Sequence, residues 1–176
     1  YPEYFHLGMD EEDPSNQKTY AFACARQHDL WWHDAYFLFD ICEKLGMRPW
    51  IWSDHCWHHP DAFFKKMPKS VLQSNWGYDA LVRNPDGTIK QKHYQAYLEL
   101  EARGYDQVPT TSTCYIWQNS LEIMELGKQE ISPEHLKGYM TAAWQYTIPR
   151  AKYALLNDAV CFAEAKKEVY PEYCNK

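Results

Sequence analysis

Apolar positions along the chain alternate between short continuous runs and longer stretches that repeat every three to four residues. The short runs predict strands and the longer repeats predict helices, and their alternation is typical of βα units around a parallel sheet. The predicted strands cover residues 4–8, 48–52, 71–76, 107–113 and 139–144.

Helices are predicted between these strands and after the last one. The first carries apolar residues at helical spacing and ends at Gly46, which supplies a left-handed stop. Ser132, followed by Pro133, is typical of a helix start, with serine as cap and proline in the first turn. The other helices are predicted to begin near Pro60, before Tyr94, near Ser120 and at Pro149, and the last carries Tyr153, Leu156, Val160 and Ala163 on one side.

Five βα units of about 30 residues each are thus predicted, whereas a complete (β/α)8 TIM barrel needs roughly 250 residues. An open doubly wound sheet usually carries a glycine-rich phosphate turn, which this sequence lacks. Polar and aromatic residues gather instead where each predicted strand ends, as at the rim of a barrel. The predicted fold is therefore α/β, a single domain over residues 1–176 that forms about the last five βα units of a partial TIM barrel.

Such a partial barrel would leave two unpaired strand edges, so we expect an N-terminal barrel half or a dimer partner to complete it. The net charge of −6 disfavours a general nucleic-acid binder, and no apolar run is long enough to span a membrane. No targeting signal is visible, which leaves the compartment open. Aromatic residues make up 16% of the chain, a content that suits stacking against sugar rings as well as packing in a core.

The six cysteines form no Cys-x-x-Cys pair, so a zinc ribbon or a redox dithiol is not expected. Cys42 and Cys161 fall in helical apolar patterns and are predicted to be buried free thiols. The segment 54–59 contains three histidines and an aspartate and could bind a transition metal. Because the neighbouring His58 and His59 would point apart, we expect no metal there and no cofactor elsewhere.

Four carboxylates follow the first predicted strand in succession, from Asp10 to Asp13. Crowding and partial burial would raise the pKa of at least one of them, as a general acid at neutral pH requires. A solvated acidic loop is the alternative interpretation. The preceding strand and His6 favour the general-acid interpretation, because they would fix the loop to a barrel rim.

The segment His6-Leu7-Gly8-Met9-Asp10-Glu11 resembles the active-site signature of family 20 glycoside hydrolases, the β-N-acetylhexosaminidases, whose usual form is His-x-Gly-Gly-Asp-Glu. The resemblance implies that Glu11 is the general acid and that Asp10 holds the acetamido group of the substrate, whose carbonyl attacks the anomeric carbon. This substrate-assisted route differs from the two-carboxylate scheme. His6 would be a hydrogen-bonding residue near the acid pair.

The same resemblance extends to later strand ends. Trp52, Trp76 and Trp144 would form the walls of the sugar pocket, and Tyr115 would hydrogen-bond the acetamido oxygen. Asp54 would help to bind substrate at the rim or hydrogen-bond near the acid pair.

Three positions depart from the family pattern: Met9 replaces a glycine, and Trp117 and Tyr146 replace carboxylates that grip sugar hydroxyls. The predicted function is hydrolysis of a terminal β-linked N-acetylhexosamine, or a related sugar, with a carbohydrate as the binding partner. A catalytically degenerate carbohydrate-binding domain and a metal-dependent hydrolase are the alternatives.

Overall fold

The computed structural model describes residues 1–12, 26, 28–78 and 82–174. Its strands and helices alternate, which confirms the predicted α/β class. Along the chain the elements are β1 (Tyr4–His6), α1 (Asp29–Lys44), β2 (Arg48–Trp52), α2 (His55–His58), α3 (Pro60–Lys66), β3 (Leu72–Ser74), α4 (Lys92–Ala102), β4 (Thr110–Thr111), α5 (Asn119–Glu130), β5 (Met140–Thr141) and α6 (Lys152–Val169), with short 3-10 helices at Pro149–Ala151 and Pro171–Tyr173.

The strands run parallel to one another. One sheet has the order β1-β2-β3 and the other pairs β4 with β5. Single parallel bridges join Gln73 to Gln107 and Trp76 to Thr110, so β3 lies beside the segment that contains β4. The five strands therefore follow chain order, and residues just past their carboxyl ends lie on the same side.

Most predicted strands are longer than the observed ones, and β4 and β5 each form a ladder of only two residues. The helix predicted to start at Ser132 is wrong. The carbonyl of Ser132 accepts hydrogen bonds from the amides of His135 and Leu136, which closes a single turn. Leu136 then forms a parallel bridge with Gln107, so pairing with the sheet replaces continuation of the helix.

The core lies between the helices and the sheet. Around α1 it contains Trp31, Phe39, Ile51 and Phe63, and a second cluster forms where α4 meets α5. On α6, Ala165 and Val169 pack with Met124 of α5. The apolar side predicted from the sequence (Tyr153, Leu156, Val160 and Ala163) lies instead on the exposed side of that helix.

Cys42 is buried and Cys161 is half-buried, and both are free thiols, so the expected burial is complete only for Cys42. Cys24 and the predicted acid Asp13 lie outside the described residues. Among the residues that the structure describes, no helix is long and apolar enough to cross a membrane.

Candidate active site

A cavity of about 450 Å³ opens at the carboxyl ends of the strands. Its volume falls in the range of small-molecule sites. Each strand contributes to it through the residues at or just past its end. The lining residues are Asp10, Glu11, Trp52, Trp76, Tyr78, Cys114, Tyr115 and Trp144. The structure thus brings together six of the eight residues singled out from the sequence, whereas His6 and Asp54 do not line the cavity.

The loop that carries the two acids, residues 8–11 and here called the acid loop, has an unusual backbone. Gly8, Met9 and Glu11 have φ values of 76°, 70° and 53°. A left-handed conformation costs a residue other than glycine about 1–3 kcal/mol, so surrounding contacts must hold this loop in place. The Met9 side chain is buried in the core around α1. The loop therefore follows a glycine-like path although only its first residue is glycine.

His6 supports the acid loop from below. Its Nδ1 accepts a hydrogen bond from the amide of Gly8 at 3.0 Å, so the ring proton sits on Nε2. Its ring packs against those of Trp50 and Trp52, with centroids 4.8 and 4.7 Å away. Burial lowers the pKa of His6 to about 4, which keeps the ring neutral near pH 7. His6 therefore acts on the loop backbone and does not face a ligand in the cavity.

Two of the predicted carboxylates reach the cavity. Burial raises the pKa of Asp10, and the nearby charge of Glu11 raises it further, which agrees with the crowding expected from the sequence. Glu12 does not line the cavity and forms an ion pair with Arg26. Asp10 and Glu11 are therefore the two acids of the predicted cluster that line the cavity.

Asp54 lies beneath the cavity and not at its rim. Its side chain is only 5% exposed, which corrects the expectation of a direct substrate contact. One carboxyl oxygen accepts a hydrogen bond from the amide of Glu11 at 2.8 Å, and the other from Nε1 of Trp76 at 3.4 Å. Burial raises the pKa of Asp54 to about 7, and the charge of Asp10 raises it in the same direction. The structure thus agrees with the second expectation, a hydrogen-bonding place near the acid pair.

Asp54 and His6 predict opposite pH dependences of stability. The pKa of folded Asp54 lies above its ordinary 3.8, so between about pH 4 and pH 7 the folded chain keeps a proton that the unfolded chain has lost. Stability then falls as the pH rises through this window. The pKa of folded His6 lies below its ordinary 6.5, so between about pH 4 and pH 6.5 the unfolded chain binds the extra proton and stability rises with pH.

We expect the Asp54→Asn variant to gain stability relative to the unchanged chain as the pH rises from about 4 to 7. The change is on the order of 4 kcal/mol, because the falling contribution of Asp54 is removed. His6→Gln should instead lose stability relative to the unchanged chain as the pH rises through the same range. The loss is about 2 kcal/mol after allowance for solvent screening of the half-buried ring. Urea unfolding of the three proteins across this range measures both differences, and two flat difference curves would contradict the assigned shifts.

The segment just past β3 carries hydrogen bonds and stacked rings beside the cavity. Asn75 accepts from Nε1 of Trp57 at 2.8 Å and donates to the carbonyl of His93 at 2.7 Å. The next residue, Trp76, stacks on Tyr78 with centroids 5.4 Å apart and an interplanar angle of 19°. Trp76 and Tyr78 together form one face of the cavity, here called the aromatic wall.

The cavity residues that follow β4 and β5 are open to solvent. Trp144 is 55% exposed and has a φ of 48°, and its ring lies 6.1 Å from that of Tyr78. Tyr115 is 74% exposed. A flat exposed indole and an exposed phenol can contact a ligand that enters from solvent. Trp117 and Tyr146 are also exposed but do not line the cavity.

Three residues of the site region were missed from the sequence. Tyr78 lines the cavity and is only 5% exposed, and its hydroxyl makes no hydrogen bond of normal geometry among the described residues, although the side chain of Trp144 lies near it. Cys114 lines the cavity beside Tyr115. Asp158 of α6 is buried and accepts hydrogen bonds from Thr113 after β4 and from Thr141 of β5. Tyr78 and Cys114 could have been found, since both follow predicted strands closely.

The histidine-rich segment does not assemble a metal site. No group of three His, Cys, Asp or Glu side chains that could hold a metal ion occurs among the described residues. The ring of His55 instead stacks on Trp31, with centroids 4.1 Å apart and an interplanar angle of 2°. His55 therefore contributes to core packing.

The site is thus a pair of adjacent carboxylates in an aromatic-walled cavity at the carboxyl ends of parallel strands. No protein-family model matches the chain, and no curated protein matches it. Its function is therefore inferred from these residues and their geometry.

Proposed function

We propose that the chain carries the active site of a glycoside hydrolase that removes a terminal β-linked N-acetylhexosamine, or a related sugar, with retention of configuration. The observation that supports this most directly is the meeting of Asp10 and Glu11 with Trp52, Trp76 and Trp144 in one cavity. A sugar ring offers apolar faces for the indoles and hydroxyl or amide groups for the carboxylates.

Glu11 is the proposed general acid and protonates the glycosidic oxygen as the bond to the leaving group breaks. The resemblance to family 20 implies that the carbonyl oxygen of the substrate's acetamido group then bonds to the anomeric carbon. Asp10 orients that group through its N–H. Water subsequently opens the cyclic intermediate and gives up a proton to Glu11, which restores the acid.

Burial of Asp10 supports its proposed role. A carboxylate in a poorly solvated site interacts more strongly with a charged intermediate than it would in water. The raised pKa of Asp10 indicates this environment at the acid loop.

We also propose that the five strands belong to a (β/α)8 barrel. Their parallel order along the chain and the placement of the site at their carboxyl ends favour it. Phe5 of β1 and Phe37 of α1 are exposed, and Tyr153, Leu156 and Val160 are exposed on α6. Further βα units, from an N-terminal barrel half or from a dimer partner, would cover both flanks.

A carbohydrate-binding domain without turnover is the second candidate. The exposed Trp117 and Tyr146 favour it, because they stand at positions where family 20 has carboxylates that bind the sugar hydroxyls. In this case the aromatic wall would bind the ligand while Asp10 and Glu11 perform no chemistry.

Hydrolysis of para-nitrophenyl N-acetyl-β-glucosaminide tests the proposal. We expect release of nitrophenol, faster than from the corresponding β-glucoside, and no effect of a chelator. Binding of N-acetylglucosamine without turnover would support the second candidate. Preference for the glucoside would contradict the substrate-assisted mechanism, and loss of activity with chelator would indicate a metal-dependent hydrolase.

Tyr78→Phe should weaken ligand binding without lowering stability. The variant keeps the ring that stacks on Trp76 and removes a buried hydroxyl whose lack of a partner costs about 1–3 kcal/mol. We expect unchanged or slightly higher thermal stability and roughly five- to tenfold weaker binding of N-acetylglucosamine, as for the loss of one hydrogen bond. Calorimetry measures both, and unchanged affinity would remove Tyr78 from the ligand site.

A further inference from the structure

Asp54 links two parts of the candidate site that are far apart in the sequence. Its carboxylate accepts from the amide of Glu11, 43 residues away, and from the indole of Trp76, 22 residues away. The first contact fixes the backbone of the proposed acid, and the second fixes a wall of the cavity. One buried side chain therefore sets the distance between the acid loop and the aromatic wall.

The local structure leaves this carboxylate free for that purpose. Asp54 occupies the N-cap position of the short helix α2, where an aspartate side chain commonly bonds to the first helical amides. Here it makes no capping hydrogen bond. The carboxylate points instead to Glu11 and Trp76.

The acid loop needs such an anchor. Glu11 has a φ of 53°, a conformation that favours glycine, and its amide is held by Asp54 at 2.8 Å. Removal of that hydrogen bond would let the backbone relax toward a commoner conformation, which would move the Glu11 carboxyl away from the bond it protonates. Misplacement of a reacting group by about 1 Å can cost 100-fold in rate.

We propose that Asp54 is the positioning residue of this site. Its carboxylate couples the acid loop to the aromatic wall, and its protonation state changes how firmly both are held. This inference rests on the proposed function for its catalytic consequence only. The titratable groups around Asp54 include Asp10 and Glu11 of the acid loop, Cys56 of α2 and Tyr78 after β3. Burial also raises the pKa of Cys56 and of Tyr78, so both are neutral near pH 7, whereas the charge of Asp10 interacts with that of Asp54.

The coupling has a direction. Ionised Asp54 accepts fully from both N–H donors, whereas the protonated group keeps one oxygen for its own hydrogen and holds the donors less strongly. The loop and the wall are therefore held more firmly above pH 7 than below it. A negative charge on Asp54 also disfavours ionisation of Asp10.

An NMR titration without substrate tests the coupling. The backbone amide of Glu11 and the indole Nε1–H of Trp76 should shift with a common midpoint near pH 7. Asp54→Asn should abolish both transitions. The matched control is Asp106→Asn, which removes a carboxylate paired with Arg48 outside the cavity and should leave the common midpoint unchanged. Transitions that persist in Asp54→Asn, or that occur at different midpoints, would overturn the proposal.

Kinetics test the catalytic consequence. For para-nitrophenyl N-acetyl-β-glucosaminide we expect Asp54→Asn to lower kcat by about 10- to 100-fold with less than a threefold change in KM, and Asp54→Ala to lower it further because it keeps no acceptor. The unchanged chain should show a step in kcat near pH 7, where Asp54 titrates. This step should disappear in both Asp54 variants, whereas Asp106→Asn should keep it. An unchanged kcat in Asp54→Asn would overturn the positioning role. The NMR result expected above, without hydrolysis by any of the proteins, would contradict the proposed function and uphold the coupling.

Discussion

Glu11→Gln should slow the hydrolysis of substrates with poor leaving groups by about 10²- to 10⁴-fold, the range that general acid catalysis contributes. An alkyl or sugar leaving group departs as a strongly basic alkoxide unless it is protonated. A nitrophenolate is stable without a proton, so activated aryl substrates should lose far less. The ratio of the two losses, measured as kcat/KM for a disaccharide and for the para-nitrophenyl glycoside, is the quantity to compare.

The neighbouring acid supplies a matched control for this experiment. Glu12→Gln makes the same chemical change one residue away, at a side chain that pairs with Arg26 and does not line the cavity. It should affect both substrates equally and mildly. If Glu11→Gln also slowed both substrates by the same factor, Glu11 would not be the proton donor.

The meeting of residues from different strand ends was predictable from the sequence, because a parallel arrangement places the carboxyl ends of all strands on one side. The sequence predicted the parallel βα pattern, and with it the convergence of Trp52, Trp76 and Trp144 on one cavity. Strand lengths were less predictable, since an apolar run such as 107–113 continues beyond the two residues, Thr110 and Thr111, that form the ladder. Hydrogen-bond pairing depends on the neighbouring strand, which local sequence does not specify.

The predictions at Ser132 and on α6 were wrong because tertiary contacts decided the structure there. Ser132 has the residue types of a helix start, yet pairing of Leu136 with Gln107 ends the turn. On α6 an apolar side was evident, but the buried side is fixed by contacts with α5 and by the hydrogen bonds of Asp158. Helical periodicity identifies an apolar side without showing which element covers it.

The burial of Asp54 illustrates the same limit at the site. Its place after a strand made a rim contact and a hydrogen bond near the acid pair equally reasonable. Only the folded path of the acid loop, with Glu11 in a left-handed conformation, brings an amide onto the Asp54 carboxylate. A contact between residues 43 positions apart has no signature in the local sequence.

Asp10→Asn should damage substrates that carry an acetamido group by about 10²- to 10³-fold in kcat. The carboxylate is proposed to accept the amide N–H as positive charge develops on the acetamido group, and an asparagine retains an acceptor but not the negative charge. This interaction strengthens in the transition state, so kcat should fall more than KM rises. Hydrolysis of the para-nitrophenyl N-acetyl-β-glucosaminide measures both constants.

The corresponding β-glucoside, which lacks the acetamido group, supplies the control. Any slow hydrolysis of that substrate cannot use the internal nucleophile, so it should change less than threefold in Asp10→Asn. A general disturbance of the acid loop would slow both substrates together, because Asp10 and Glu11 are neighbours on the same loop backbone. Equal losses on both substrates would therefore remove Asp10 from the orienting role. A loss confined to the acetamido sugar would support substrate assistance, because hydrolysis of the glucoside would then show that Glu11 still functions.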